Sequence, residues 1–334
     1  MSRVALALGL AWCVACQSTL APLCVAGGTE CVGITIPRGA TLRGAIDSLA
    51  AHGLVGNRFW FMLYARVRGL GGSLKSGSYA FHRNAAWGDI VDALERGRGA
   101  LVRFTVPEGL MLAEVGQLAS AELSVSVDSF QSVAEDPVLL RDLGLTAYAA
   151  NVEGYLYPTT YTVRPHPTAR ELVRLMTDEF QSHWLPAWQR RLDSLRMTRY
   201  DVVTLASIIQ AEVRYGPDRE YVSAVYHNRL RVGMPLQADP TVVYAMGRRP
   251  QRVYEKDLMI RSPYNTYLHD GLPPGPICQP DSAALWAALY PARTPFLYFV
   301  AQPDGKHIFS ATYREHLAAI RRVKEMQSGM RVPS

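Results

Sequence analysis

The sequence predicts an α+β protein in which two folded units follow an apolar N-terminal segment. The chain has 334 residues, more than one domain usually contains, so two units are expected. Its composition is 49% hydrophobic and 19% charged, which is typical of a globular protein and excludes a disordered chain or a multispan membrane protein. Helical and strand-like periodicities both occur along the chain, which favours the mixed architecture.

The first 30 residues are predicted to be a membrane anchor or an export signal. Residues 4–29 contain no charge, and Arg3 places a positive charge just before them. A membrane-spanning helix needs about 20 apolar residues, which residues 4–26 nearly supply. We favour a retained anchor over a cleaved signal, and lipidation of Cys16 is a third alternative. All three place the folded body outside the cytoplasm.

Residues 31–106 are expected to form a small α+β unit. Strand-like patterns occur at 34–36, 77–81 and 102–106, and apolar residues recur at helical spacing after Leu42, over 59–67 and over 87–94. A helical connecting region is expected at 107–150. The block 151–334 is richer in Pro, Tyr and clustered polar residues, and it contains the candidate functional residues.

A predicted helix carries the strongest candidate for catalysis, Glu212. This carboxyl follows Leu205, Ile208 and Ile209 at positions i+7, i+4 and i+3, so it extends an apolar stripe of a helix that Asp201 is expected to cap. A carboxyl in such a position should be partly buried, and burial raises its pKa. A raised pKa is what a general acid needs near neutral pH.

The alternative for Glu212 is a structural ion pair with an arginine such as Arg214 or Arg229. Downstream, a second helix over 218–230 places Asn228 on an apolar stripe. A loop then carries Gln237 and Asp239, and Asp239 could equally be the N-cap of a helix over 241–246.

Seven motifs, in order along the chain, resemble those of the YceG-like endolytic murein transglycosylase family, also called MltG. They lie at residues 107–109, 153–161, 205–212, 226–230, 234–242, 262–267 and 271–277. The unit over 31–106 is similar to the LysM-like module of that family, so the resemblance covers nearly everything after the N-terminal segment. It implies that 151–334 is a YceG-like catalytic domain.

The resemblance implies that Glu212 is the catalytic acid and base, and that it acts alone. Many relatives carry a second acidic residue where this chain has Gln210. One carboxyl is sufficient if the muramic acid's own 6-hydroxyl is the nucleophile, because the attack is then intramolecular. The products would be 1,6-anhydroMurNAc ends, and cleavage of this kind would limit the length of nascent glycan strands.

The side chains expected to orient the sugars are polar or aromatic residues in the family motifs. They are Glu153, Asn228, Gln237, Asp239, Tyr264 and Asn265. No cofactor and no metal is expected. The resemblance implies a single-pass protein of the cytoplasmic membrane with its catalytic domain outside, whose partners are peptidoglycan strands, the membrane and cell-wall synthases, and not nucleic acid.

Two other functions remain open from the sequence. One is a hydrolytic muramidase in which Asp239 supplies a second catalytic carboxylate. The other is a noncatalytic peptidoglycan-binding scaffold of the cell-wall synthesis machinery. The chain also departs from the family pattern at Gln279 and Asp281, where Asn and Gly are usual, so the contacts around these two positions are not predicted by the resemblance.

Overall fold

The computed structural model describes residues 31–97, 99 and 101–329. The chain divides into two compact units between Val102 and Arg103. The architecture is mixed α+β, as predicted, and combines many helices with two-stranded sheets. The predicted anchor at 1–30 lies outside the described residues. None of the helices within the described ranges is both long and apolar enough to cross a bilayer.

The first unit is a two-stranded antiparallel sheet with helices over one face. Ile34 and Ile36 point into the core and Thr35 points outward, because successive side chains of a strand alternate between its two faces. Ile34 lies opposite Tyr79 in the neighbouring strand. The elements are β1 (Cys31–Ile36), α1 (Leu42–Ala51), α2 (Arg58–Val67), α3 (Leu70–Ser73), β2 (Gly77–His82) and α4 (Trp87–Arg96).

The predicted strand over 102–106 forms as β3 (Val102–Thr105), but it does not pair with β1 or β2. It pairs with β4 (Thr160–Val163). The Val106 N–H donates to the Thr159 carbonyl at 2.9 Å just beyond this pairing. Apolar alternation identifies a strand but says nothing about its partner, so the sequence pattern alone could not have assigned this pairing.

The second unit is mainly helical. Between β3 and β4 lie α5 (Leu112–Leu123), α6 (Val127–Ala134) and α7 (Pro137–Asp142). After β4 come α8 (Ala169–His183), α9 (Trp188–Leu195), α10 (Arg199–Glu212), α11 (Arg219–Arg231), α12 (Asp239–Ala245), α13 (Ser282–Leu289), β5 (Tyr298–Ala301), β6 (His307–Ser310) and α14 (Tyr313–Gly329).

Helix α10 lies at the centre of the second unit. All eight residues over 202–209 are buried, so the helix is covered on every side and not on one stripe as predicted. It packs against α13, which also contacts α11. The buried Ser207 hydroxyl donates to the Thr204 carbonyl at 2.7 Å and accepts from the Ile277 N–H at 2.9 Å, so this polar side chain has its partners.

The C-terminal part of the chain contains a β-hairpin. Strands β5 and β6 are antiparallel, with Tyr298 opposite Ser310. Helix α14 begins at a capping box, in which the Glu315 carboxylate accepts from the Thr312 N–H at 3.1 Å and the Thr312 hydroxyl accepts from the Glu315 N–H at 3.3 Å. This helix packs on both strands of the hairpin.

Candidate active site

Helix α10 places Glu212 at its C-terminal end. The helix begins three residues earlier than predicted, because Thr198 is the N-cap and Asp201 is the third residue of a capping box. The Thr198 hydroxyl accepts from the Asp201 N–H at 3.1 Å, and the Asp201 carboxylate accepts from the Thr198 N–H at 2.8 Å. Val213 is extended, so Glu212 is the last helical residue, held where a buried helix meets a loop.

The Glu212 carboxyl is partly buried, as predicted, and its pKa is raised from 4.5 to about 7. Burial is the largest cause, because it disfavours the ionised form. The negative charge of Asp239 raises the pKa further, and the positive charge of Arg229 opposes both effects. The Glu212 carboxyl forms no hydrogen bond or ion pair with the described residues. The carboxyl can therefore donate a proton near neutral pH, and no described protein group competes for that proton.

Arg229 does not form the structural ion pair with Glu212 that was the alternative to a catalytic role. Its guanidinium donates to three backbone carbonyls: Leu297 at 2.7 Å, Leu236 at 2.6 Å and Pro235 at 3.4 Å. Arg214 forms no ion pair with Glu212 within the described ranges either. Arg229 therefore joins the loop after α11 to the start of β5, and its charge acts on Glu212 without direct contact.

Asp239 lies beside Glu212 and is held by Tyr267. The Tyr267 hydroxyl donates to the Asp239 carboxylate at 2.6 Å. Asp239 is the first residue of α12 and not its N-cap, which is Ala238. Gln237 adopts a left-handed backbone conformation with φ 49°, and its N–H donates to the Thr266 carbonyl at 3.0 Å. The side chains of Gln237 and Asp239 are both exposed, and Asp239 is close enough for its charge to act on Glu212.

Tyr226 belongs to this cluster, although the sequence pointed to it only as part of the motif at 226–230 and not as a site residue. Its ring is fully buried, and its hydroxyl has no hydrogen-bond partner among the described residues. Burial raises its pKa well above 10, and the nearby charge of Glu212 raises it further. Tyr226 is therefore a neutral donor close to the Glu212 carboxyl. From the sequence, an aromatic residue on a helical stripe is interpreted as a core residue. Only the packing of α11 against α10 shows that Tyr226 lies close to the Glu212 carboxyl.

Asn228 and Asn265 use their side chains to hold loops. The Asn228 amide donates to the carbonyls of Thr294 and Phe296, each at 2.9 Å. The Asn265 amide donates to the carbonyls of Leu258 and Ile260 at 2.8 and 2.9 Å, and its residue is fully buried. The structure thus accounts for both residues by backbone contacts, and direct contact with a ligand stays a prediction.

Glu153 is the centre of a second buried polar cluster. It is 4% exposed, and burial raises its pKa to about 8. Its two carboxyl oxygens accept from the Leu112 N–H, each at 3.0 Å, and one also accepts from the Gln279 amide at 2.5 Å. Tyr244 also forms a hydrogen bond with this carboxyl. Glu153 therefore ties the start of α5 to the segment before α13, and a contact with ligand stays a prediction.

The residues that depart from the family pattern are part of these contacts. Gln279 is fully buried and accepts from the Leu156 N–H at 3.0 Å. The Asp281 N–H donates to the Gln210 side-chain oxygen at 3.1 Å, and Arg219 contacts both oxygens of the Asp281 carboxylate at 3.0 and 2.8 Å. Gln210, which replaces the second acidic residue of many relatives, therefore has a structural partner.

Tyr264 lies between the Glu153 cluster and a glycine-containing loop. Its ring is half-buried and packs against Tyr244 with centroids 4.7 Å apart. A side chain at Gly275 would collide with the hydroxyl of Tyr200 and lie 3.3 Å from that of Tyr264. The loop therefore approaches both tyrosines as closely as glycine allows.

An unpaired carboxyl of raised pKa, placed at the end of a buried helix near the exposed carboxylate of Asp239, is a site for acid–base chemistry. The chain belongs to the YceG-like family, whose model matches residues 34–322. The match spans both units of the fold.

Curated relatives and a solved structure agree with this assignment. The endolytic murein transglycosylase of Bacillus subtilis (strain 168) is 30% identical over 299 residues, which cover 85% of this chain and 82% of the relative. The protein of the same name from Streptococcus pneumoniae serotype 2 is 28% identical over 321 residues, covering 87% of this chain but 58% of the longer relative. A YceG-like protein from Listeria monocytogenes has a similar crystal structure, with a TM-score of 0.62 and 29% identity over 86% of this chain and 98% of that chain.

Proposed function

We propose that this protein is an endolytic murein transglycosylase, a lyase that cuts the MurNAc–GlcNAc bond within peptidoglycan strands without adding water. The names of the relatives from Bacillus subtilis and Streptococcus pneumoniae support this reaction. The observation that carries it is the state of Glu212, which is partly buried, has a pKa of about 7 and has no partner within the described residues. Cleavage inside nascent strands would limit their length.

Glu212 acts first as an acid. Its proton passes to the glycosidic oxygen, the bond from that oxygen to C1 of the muramic acid breaks, and the GlcNAc-containing strand leaves with a new hydroxyl. A pKa of about 7 keeps a large share of Glu212 protonated at neutral pH while leaving the proton easy to transfer.

Glu212 then acts as a base. The 6-hydroxyl oxygen of the same muramic acid attacks C1 and forms the 1,6-anhydro bridge, and the hydroxyl proton passes to the Glu212 carboxylate. The carboxyl is thereby returned to its protonated form, and no water is consumed. The nucleophile belongs to the substrate, so the enzyme needs no second carboxylate to activate water.

Between the two steps Glu212 is an anion in a poorly solvated place. The charge of Arg229 stabilises that anion, and the unpartnered Tyr226 hydroxyl is a neutral donor near it. The negative charge of Asp239 has the opposite effect and favours the protonated form. Burial, the charge of Asp239 and the charge of Arg229 together set the proton affinity of Glu212.

The sugar contacts are assigned to side chains that are accessible. Gln237 and Asp239 are exposed, and Tyr264 is half-buried with an aromatic face suited to a sugar ring. Glu153, Asn228 and Asn265 contribute by holding the loops that carry these groups, through the backbone contacts described above.

The remainder of the chain would position this site at the membrane. Residues 1–30 would be a retained anchor of the cytoplasmic membrane, the LysM-like module over 31–106 would contact peptidoglycan, and the catalytic domain would lie outside the cytoplasm. The apolar, charge-free sequence over 4–29 supports the anchor.

The test is product analysis of the full-length protein on intact peptidoglycan. Mass spectrometry of wild-type products should show 1,6-anhydroMurNAc ends, Glu212→Gln should yield none, and Glu122→Gln, which makes the same change at an exposed position, should match the wild type. Reducing ends in place of anhydro ends would indicate a muramidase. Undiminished cleavage by Glu212→Gln would refute the assignment of the acid, and binding without any cleavage by the wild type would indicate a scaffold.

A further inference from the structure

The first unit carries an exposed apolar surface on α2. Four of its ten residues have large apolar side chains in water: Phe59 is 70% exposed, Trp60 55%, Leu63 47% and Val67 79%. Phe59 and Trp60 contact each other edge to face, with centroids 5.3 Å apart. Single exposed apolar residues are ordinary, but a contiguous group of this size marks an interaction site. We refer to these four residues as the α2 apolar face.

The α2 apolar face is continuous and points away from the core. With 3.6 residues per turn, its four residues fall within roughly 100° of the helix circumference. Phe61 and Ala65 lie on the opposite side and are fully buried in the core of the unit. The helix is therefore apolar on two sides, one covered by the unit and one not.

The charge next to this face is positive. Arg66 borders it and, within the described residues, has no ion pair, whereas Arg58 and Arg68 are paired with Asp47 and Asp92 at 3.3 and 2.8 Å. Helix α2 contains no acidic residue. Residues 31–102 hold nine basic and four acidic residues, so most of the net charge of +6 lies in this unit. This excess suits an anionic partner.

The position of the unit along the chain indicates which anionic partner is within reach. The apolar stretch of the proposed anchor ends at Ala26, and β1 begins at Cys31. Five residues span at most about 18 Å. If residues 1–30 anchor the chain, as proposed above, the first unit has only a short linker and stays close to the lipid headgroups. A helix face of Phe, Trp, Leu and Val bordered by Arg has the composition of helices that lie in a membrane interface.

We infer that the α2 apolar face lies in the headgroup region of an anionic bilayer. Phe59, Trp60, Leu63 and Val67 enter the boundary of the acyl chains, and Arg66 contacts lipid phosphate. This contact would fix the orientation of the first unit on the membrane. It rests on the proposed anchor and not on the proposed catalytic reaction.

The experiment uses the full-length protein reconstituted in vesicles of phosphatidylethanolamine and phosphatidylglycerol. A benzophenone amino acid replaces Leu63 in one sample and Thr35 in the matched control. Thr35 is exposed on the outward face of β1, away from the core that α2 covers. After irradiation, mass spectrometry identifies what is attached to each probe. Both positions are exposed, so neither probe disturbs the core, and circular dichroism checks that the fold is retained.

The expected result is on the order of tenfold more lipid adduct at position 63 than at position 35, the contrast between a residue in the interface and one in water. Equal lipid adduct at the two positions would overturn the inference. So would attachment of position 63 to a second copy of the chain or to another part of the same chain. The same samples are assayed on peptidoglycan, so a failure of the proposed reaction is seen separately from a failure of the membrane contact.

Discussion

Replacing Glu212 with Gln should abolish cleavage and at the same time stabilise the protein, in a manner that depends on pH. The pKa of Glu212 is raised from 4.5 to about 7 on folding, chiefly by burial. A carboxyl whose pKa is higher in the folded state binds protons more tightly there, so stability falls as pH rises from 4.5 through about 7. Gln keeps the shape of the neutral acid and cannot ionise, so the variant avoids this loss.

The size of the effect follows from the shift. Each pKa unit corresponds to about 1.4 kcal/mol. Ionisation of Glu212 therefore lowers the free energy of unfolding of the wild type by at most about 3 kcal/mol above pH 7. At pH 5 the folded wild type is almost fully protonated and most of the difference disappears. We therefore expect Glu212→Gln to be more stable than the wild type by about 2 to 3 kcal/mol at pH 8, and by less than about 1 kcal/mol at pH 5.

Urea unfolding of the two proteins at both pH values measures this difference directly. Glu122→Gln is the matched control, since it removes a carboxyl that is exposed, and its effect should be small at both values. A variant that is less stable than the wild type at pH 8 would refute the reasoning. So would a stabilisation that is the same at pH 5 and pH 8, because it would not come from the ionisation of Glu212.

Further predictions concern the neighbours of Glu212 and one glycine. The kcat/KM of the wild type should fall as pH rises through about 7. Asp239→Asn should move this fall to lower pH, because the charge of Asp239 raises the pKa of Glu212. A pH–rate profile of each protein tests this, and neither protein should produce reducing ends. Tyr226→Phe should lower kcat by roughly tenfold. The free energy of unfolding should stay unchanged or rise by about 1 kcal/mol, because the hydroxyl has no partner in the described part of the chain. A loss of stability without a loss of kcat would show a purely structural role. Gly154→Ala should lower the free energy of unfolding by more than about 2 kcal/mol, since φ is 81° and the new methyl would lie 2.5 Å from Pro276; an unchanged urea midpoint would contradict the close packing.

The sequence predicted the helix of Glu212 because helix signals are local. Its apolar spacing is read from residues three, four and seven positions apart. The start was placed at Asp201 in place of Thr198, because either residue could be a cap and only the hydrogen bonds of the folded helix distinguish an N-cap from the third helical position.

The surroundings of Glu212 could not be predicted in the same way. The sequence predicted one apolar stripe on this helix, yet residues 202–209 are buried on all sides, because α11, α12 and α13 pack against it. Arg229 was considered as an ion-pair partner, but backbone carbonyls that no sequence pattern reveals take its donors. Tyr226 and Tyr267 were missed because their importance lies in proximity to Glu212 and Asp239.

The first unit shows the same limit. Its helices and strands follow from periodicity, but the antiparallel pairing of β1 with β2 does not, because alternation identifies a strand and not its partner. The strand at 102–106 was found, but its partner β4 is more than fifty residues away in sequence. Pairing over that distance depends on which surfaces fold together, and that is not a property of either strand alone.

The most direct test of the account is to digest peptidoglycan with the wild-type protein in ¹⁸O-labelled water and to weigh the new glycan ends. If Glu212 alone moves the proton and the muramic 6-hydroxyl is the nucleophile, the new ends carry the anhydro mass and no ¹⁸O. Incorporation of one ¹⁸O per cut would show that water attacks C1, and a site with one acid and no activated water would then be the wrong description.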